Sequence, residues 1–212
     1  MKKKLIAAAL VVVWIMLCAF DYGPRYKLAI AAVDNNAAIY MLGDSRTVMG
    51  AADTGYDARA NWYARSGSTI SYLNETIAPI LDTKDLAGKK IVIMYGVNDV
   101  MQFGAAKAGE SYYNFLLTKG EQWVQKGAKV YFCSVLGITK DIENFVPGLN
   151  SDAMNAQIDS FNSFMRTNLP PGITYVQLQH YYPIGYDDGL HFTADESYII
   201  YENVINTIAA IQ

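Results

Sequence analysis

The chain predicts an α/β protein, a parallel sheet covered on both faces by helices. Two observations carry that expectation. Short apolar runs of strand length recur along the chain, and the clearest end at a glycine. Between them lie segments with apolar residues at helical spacing. Strands apolar throughout suit burial on both faces, and strand–helix alternation suits parallel crossovers.

The elements follow in order. A strand is predicted at 37–42, ending at Gly43, and a shorter one at 62–64. Helical spacing occupies 69–81. Residues 90–95 read Lys-Ile-Val-Ile-Met-Tyr and stop at Gly96, a further strand. A helix over 105–125 is predicted to place Tyr113, Leu116, Leu117 and Val124 on one face. Residues 128–135 form the next strand, ending near Gly137. Met154, Ile158, Phe161 and Met165 mark a helix over 152–168, and 174–178 is a last short strand. The final helix opens with Thr193-Ala194-Asp195-Glu196, a capping box. Ser197, Ile200, Tyr201, Val204 and Ile208 lie along one side of it. No internal repeat or low-complexity tract interrupts the pattern, and 21–36 reads as a spacer.

Length and composition limit the function classes. A chain of 212 residues suits one domain with a real core. With 52% hydrophobic and 17% charged residues it is no disordered tail. The net charge of −3 is unevenly spread: residues 1–31 hold five bases and one acid, leaving 12 bases against 19 acids, or −7, for 32–212. So acidic a body is poorly suited to nucleic-acid phosphates. Cys18 lies in the N-terminal apolar run, so the body keeps only Cys133, which reads as a small core residue. A disulfide framework is excluded.

Lys2, Lys3 and Lys4 precede an uncharged run from Leu5 to Phe20, the two leading parts of an export signal. Its sixteen residues fall between a long signal core and a short membrane span. Ala29-Ile30-Ala31 offers a small-x-small cleavage pattern, but Pro24, Arg25 and Lys27 separate it from the apolar run. Leu17 before Cys18 does not fit a lipobox. Cleaved secretion and a retained anchor are both open, and either places the body outside the cytoplasm. Residues 1–31 are therefore an export signal or membrane anchor with a short spacer, and 32–212 the folded domain.

In parallel α/β sheets, ligands bind beyond the carboxyl ends of the strands. Four segments there carry chemistry. Gly43-Asp44-Ser45 puts a serine at a helix start, near the positive end of its dipole. Ser66-Gly67-Ser68 offers a glycine whose N–H another group can approach closely. Gly96-Val97-Asn98-Asp99 offers an amide able to donate to an oxyanion. In Asp188-Gly189-Leu190-His191, the carboxylate can fix the imidazole tautomer and free the other ring nitrogen to take a serine proton. Singly, the first reads as an N-cap serine, the next two as ordinary turns and the last as a solvated loop. Asp187 is an alternative orienting acid, and His180, the only other histidine, an alternative surface or supporting group.

Taken together and in this order, the four blocks resemble the SGNH hydrolases, or GDSL esterases. The resemblance rests on GDS at 43–45, Gly67, GVND at 96–99 and DGLH at 188–191, and spans about 37–211. It implies a three-layer α/β/α sandwich with a five-stranded parallel sheet, similar to flavodoxin. It implies Ser45 as nucleophile, His191 as base and Asp188 as third member of a triad. The N–H groups of Ser45 and Gly67 and the side chain of Asn98 would form the oxyanion hole. Arg46 departs from the family pattern, standing where leucine is common.

Rival motifs are missing. The chain has no G-x-S-x-G elbow, no phosphate-binding G-x-x-x-x-G-K-[ST] and no H-E-x-x-H. With two histidines and one body cysteine a zinc site is not expected, and the chemistry needs no cofactor. The expected function is an extracytoplasmic serine esterase hydrolysing short O-acyl esters, acetyl above all, on carbohydrates. Its partners would be small acyl esters or acylated polysaccharide, not nucleic acid, with any membrane attachment through the N-terminal segment alone. The alternatives are a lysophospholipase-like lipid esterase, an O-acyltransferase, a non-catalytic carbohydrate-binding module, and a flavodoxin-like binding domain.

Overall fold

The structure is a computed structural model that describes residues 30–178 and 185–211. The expectations for export and anchoring fall on residues outside these, as does His180. No helix among the described residues is long and apolar enough to cross a membrane.

The chain runs β1 (Ile30–Val33), β2 (Ile39–Gly43), α1 (Ser45–Asp53), β3 (Ala60–Arg65), α2 (70–82), β4 (Lys90–Met94), α3 (Val97–Phe103), α4 (105–125), β5 (Lys129–Cys133), a 3₁₀ turn (Lys140–Asn144), α5 (Ser151–Asn168), β6 (Ile173–Val176) and α6 (Ala194–Ala210). The sheet order is β1-β3-β2-β4-β5-β6. β2 to β6 are all parallel, whereas β1 pairs antiparallel with β3. The sheet thus has six strands, not the five implied by the resemblance. β1 lies wholly within the expected spacer, 21–36, and a boundary between 31 and 32 cuts through it. Residues 28–33 read Leu-Ala-Ile-Ala-Ala-Val, an apolar run taken up by the expected cleavage pattern and spacer; of β1 only Ala31 is buried. Only the exposed edge of β3 gives it a place.

Side chains alternate across the central strands. On one face Leu42, Ile91, Ile93 and Phe132 pack under α2 to α5, against Leu73, Ile77, Val100, Tyr112, Phe161 and Met165. On the other, Met41, Val92, Tyr131 and Cys133 meet Val48 and Ala51 of α1 and Tyr201, Val204, Ile205 and Ile208 of α6. Cys133 is a core residue, and burial pushes its thiol up to about 12.

The expected face of α4 needs correction. Tyr112, Phe115, Leu116 and Trp123 are the buried residues, while Leu117 is exposed. The stripe begins on Ala105 and Ala108, which apolar spacing of large residues does not register. A π-helical turn at Leu116–Gly120 then carries the stripe across to Trp123. α2 contains a similar turn at Leu73–Ile77.

Candidate active site

Strand register brings the expected site together. β2 lies between β3 and β4, and Gly43 pairs with both Ala64 and Met94. Three neighbouring strands therefore end level, and the loops bearing Gly67 and Asn98 flank the one bearing Ser45. Ser45 is the first residue of α1, behind an N-cap Asp44 whose Oδ1 accepts from Arg46 N at 3.0 Å. Gly43 allows this tight exit: a Cβ there would lie 1.7 Å from Thr47 Oγ1.

His191 arrives from the loop before α6. Its Nε2 is 2.9 Å from Ser45 Oγ, and its Nδ1 is 2.7 Å from Asp188 Oδ2. Facing a carboxylate, Nδ1 holds the proton, so Nε2 is the acceptor aimed at the serine hydroxyl. Asp188 Oδ1 accepts from the N–H groups of Leu190 (2.9 Å) and His191 (2.7 Å). Burial alone would raise the Asp188 carboxyl, but the bonds from His191 and Leu190 outweigh it and hold it below its ordinary range. Asp187 is exposed and its N–H bonds His191 O, so Asp188 is the acid on the imidazole.

The flanking loops are joined to each other. Gly67 has φ +69°, a left-handed turn that suits glycine, and Ser68 N closes the turn onto Arg65 O at 3.2 Å. Asn98, fully buried in the first turn of α3, donates from Nδ2 to Ser68 O at 2.9 Å. That bond fixes the amide orientation and leaves the second Nδ2 proton for another acceptor. Asn98 Oδ1 is buried and accepts no hydrogen bond among the described residues.

Two neighbours were not foreseen. Asp99 read as a turn residue, yet it is fully buried and accepts from Ile70 N (3.0 Å) and Tyr112 OH (2.8 Å). Burial pushes its carboxyl up to about 6 despite those bonds. Arg46 stood out only as a departure from GDSL. It is 7% exposed and bonds three backbone carbonyls. A cavity on the α1–α6 side is lined by Asp44, Arg46, Met94, Leu136, Phe192 and Ile200; neither Ser45 nor His191 lines it.

No protein-family profile matches the sequence, and no curated protein matches it. Solved structures do match. One, provisionally described as a platelet activating factor from Streptococcus pneumonia, is 11% identical, with TM-score 0.61 over 98% of this chain and 93% of its own. A GDSL-like lipase from Bacteroides thetaiotaomicron is 20% identical, with TM-score 0.53 over 86% and 92%. Est24, a carbohydrate acetylesterase from Sinorhizobium meliloti, is 14% identical, with TM-score 0.54 over 82% and 99%. The chain has the SGNH hydrolase fold. On that fold it carries a serine, a histidine and an aspartate in one hydrogen-bonded line.

Proposed function

We propose that this protein is an extracytoplasmic serine esterase that removes short O-acyl groups, acetyl foremost, from carbohydrates. The observation that carries the reading is the unbroken Ser45–His191–Asp188 chain at 2.9 and 2.7 Å. Ser45 Oγ attacks the ester carbonyl as its proton passes to His191 Nε2. The oxyanion is met by the N–H groups of Ser45 and Gly67 and the free Nδ2 proton of Asn98. The intermediate collapses, and His191 returns the proton to the departing alcohol. Water then attacks the acyl-serine by the same route, releasing the acid and restoring Ser45. Asp188 keeps the imidazole in its tautomer and stabilises its charged form.

The loop stretches 104–109 and 138–149 offer no long apolar insertion to build a deep acyl tunnel, which favours a short acyl group over a long chain. The body, net −7 over residues 32–212, is disfavoured on anionic lipid. Est24, which shares the fold, is described as a carbohydrate acetylesterase. The lysine-led apolar N-terminus supports placement outside the cytoplasm.

A fluorophosphonate probe and a nitrophenyl ester series test this. The probe should label the protein, and Ser45→Ala and His191→Ala should each reduce turnover to near background while leaving the fold intact. The double variant should be little worse than either single one, because the triad acts as a unit. kcat/KM should peak at about two to four acyl carbons. A steady rise to long chains would favour a lipid esterase, and no labelling of folded protein a binding module. Transfer to a sugar hydroxyl in preference to water would mark an acyltransferase.

A further inference from the structure

Arg46 is in an unfavourable place for a cation. It is buried in the first turn of α1, where the helix dipole is positive and anions are preferred. Its contacts explain what holds it there. Nε donates to Leu190 O at 2.9 Å, Nη1 to Leu136 O at 2.6 Å and Nη2 to Gly137 O at 2.9 Å. The guanidinium lies over the Phe192 ring, 4.7 Å from its centre.

These partners surround the base. Leu190 and Phe192 are the residues on either side of His191. Leu136 and Gly137 lie in the loop after β5, which continues to Thr139, and Thr139 N donates to Gly189 O at 2.9 Å. The two carbonyls preceding His191 are therefore both held, Leu190 O by Arg46 directly and Gly189 O by the loop that Arg46 also binds. Arg46 itself follows Ser45 in the chain. One guanidinium thus connects the helix start that carries the serine to the loop that carries the histidine. Leucine, common at this position in the family that the sequence resembles, has no donor to do this.

We propose that Arg46 is a positioning residue that sets the Ser45–His191 distance by clamping the Asp188–His191 loop onto the start of α1. This rests on the esterase reading for its kinetic consequence, though the geometric one stands apart from it. Displacing a reacting group by about 1 Å costs on the order of 10²-fold in rate. A lysine offers a point charge in place of the planar fork, so it cannot hold three carbonyls in this arrangement.

The test compares wild type, Arg46→Leu and Arg46→Lys by ester kinetics and by the NMR signal of the His191 Nδ1 proton. That proton should resonate far downfield in the wild type because it is shared with Asp188. Arg46→Leu should lower kcat by about 10²-fold with KM little changed, and shift or broaden the Nδ1 signal in folded protein. Arg46→Lys should recover part of both. Should Arg46→Leu fail to fold, Arg46→Lys alone decides, with a kcat loss and a displaced signal expected. Folded variants with wild-type kcat and an unmoved Nδ1 signal, whatever their melting temperature, would overturn the proposal and leave Arg46 a packing residue. A wild type that neither turns over esters nor takes the probe would overturn the esterase reading instead. The Nδ1 signal would still report on the clamp.

Discussion

At the scale of single residues, the site divides into groups poised for a reacting atom and groups that hold them. Asn98 does both, since one Nδ2 proton fixes Ser68 O and the other stays free. Asn98→Ala should lower kcat by about 10²–10³-fold with a smaller change in KM, the usual loss for one oxyanion donor. An effect confined to KM would make Asn98 a ground-state contact. Asp99 behaves differently, because its consequence is for stability. Its carboxyl, pushed up to about 6 by burial, binds a proton more tightly when folded than when unfolded, where it titrates near 4. Its contribution is therefore full below about pH 4 and is lost as pH rises through about 6, a difference on the order of 2–3 kcal/mol. Asp99→Asn cannot ionise. Urea unfolding from pH 4 to 7 should show wild-type stability falling relative to that variant, and parallel curves would contradict the assignment.

At the scale of elements, the loop before α6 depends on Gly189. Its φ is +83°, and a Cβ there would lie 2.3 Å from Ile142 N in the 3₁₀ turn, a backbone atom with no rotamer to yield. Gly189→Ala should cost more than the about 1–3 kcal/mol of backbone strain alone, and should lower kcat by moving His191. Gly148→Ala is the matched control: φ is +82° but nothing lies within 4 Å, so it should lose stability and keep kcat. Thermal melts paired with kinetics would separate the two effects. The same elements show what sequence makes legible. β2, β4 and β5 were evident because strands buried on both faces read as unbroken apolar runs, and the four motif blocks fall at the strand ends where a parallel sheet presents them. β1 was not, since its apolar residues also fit the small-x-small cleavage pattern and its place depends on the edge of β3. α3 was not, since Gly96 to Asp99 read as a turn although Val97 begins a helix whose first turn holds Asn98 and Asp99. Arg46 was visible only as an oddity, because its acceptors are backbone carbonyls 90 to 144 residues away.

At the scale of the whole molecule, the question is where the folded body begins. Residues 30–37 are joined to β3 by more than the β1 ladder. Asn61, fully buried on β3, accepts from the N–H groups of Asn35 (2.8 Å) and Ala37 (3.1 Å) and donates to Ala37 O (3.0 Å). Asn35 Nδ2 donates to Ala60 O at 2.8 Å. Asp34 accepts from Tyr63 OH at 3.2 Å and pairs with Lys84 at 2.6 Å. Removing this segment would leave Asn61 only its bond to Ile39 O (3.2 Å) and leave β3 with an open edge, a template for pairing with another chain. Ser45, at the start of α1, and Asp188 and His191, in the loop before α6, are not on β1 or its partner strand β3. A chain starting at residue 30 should therefore be soluble, with unchanged melting temperature and kcat/KM on short soluble esters. One starting at residue 38 should melt at a lower temperature and self-associate, with the remaining monomer still taking the serine probe. Size-exclusion chromatography, thermal melts and probe labelling of the two truncations would distinguish these outcomes. Equal stability of the two would show that β1 and the Asn61 contacts contribute little. A residue-30 chain that folds normally but turns over ester only when the full N-terminus and a bilayer are restored would sink the short-ester reading and support a lipid esterase.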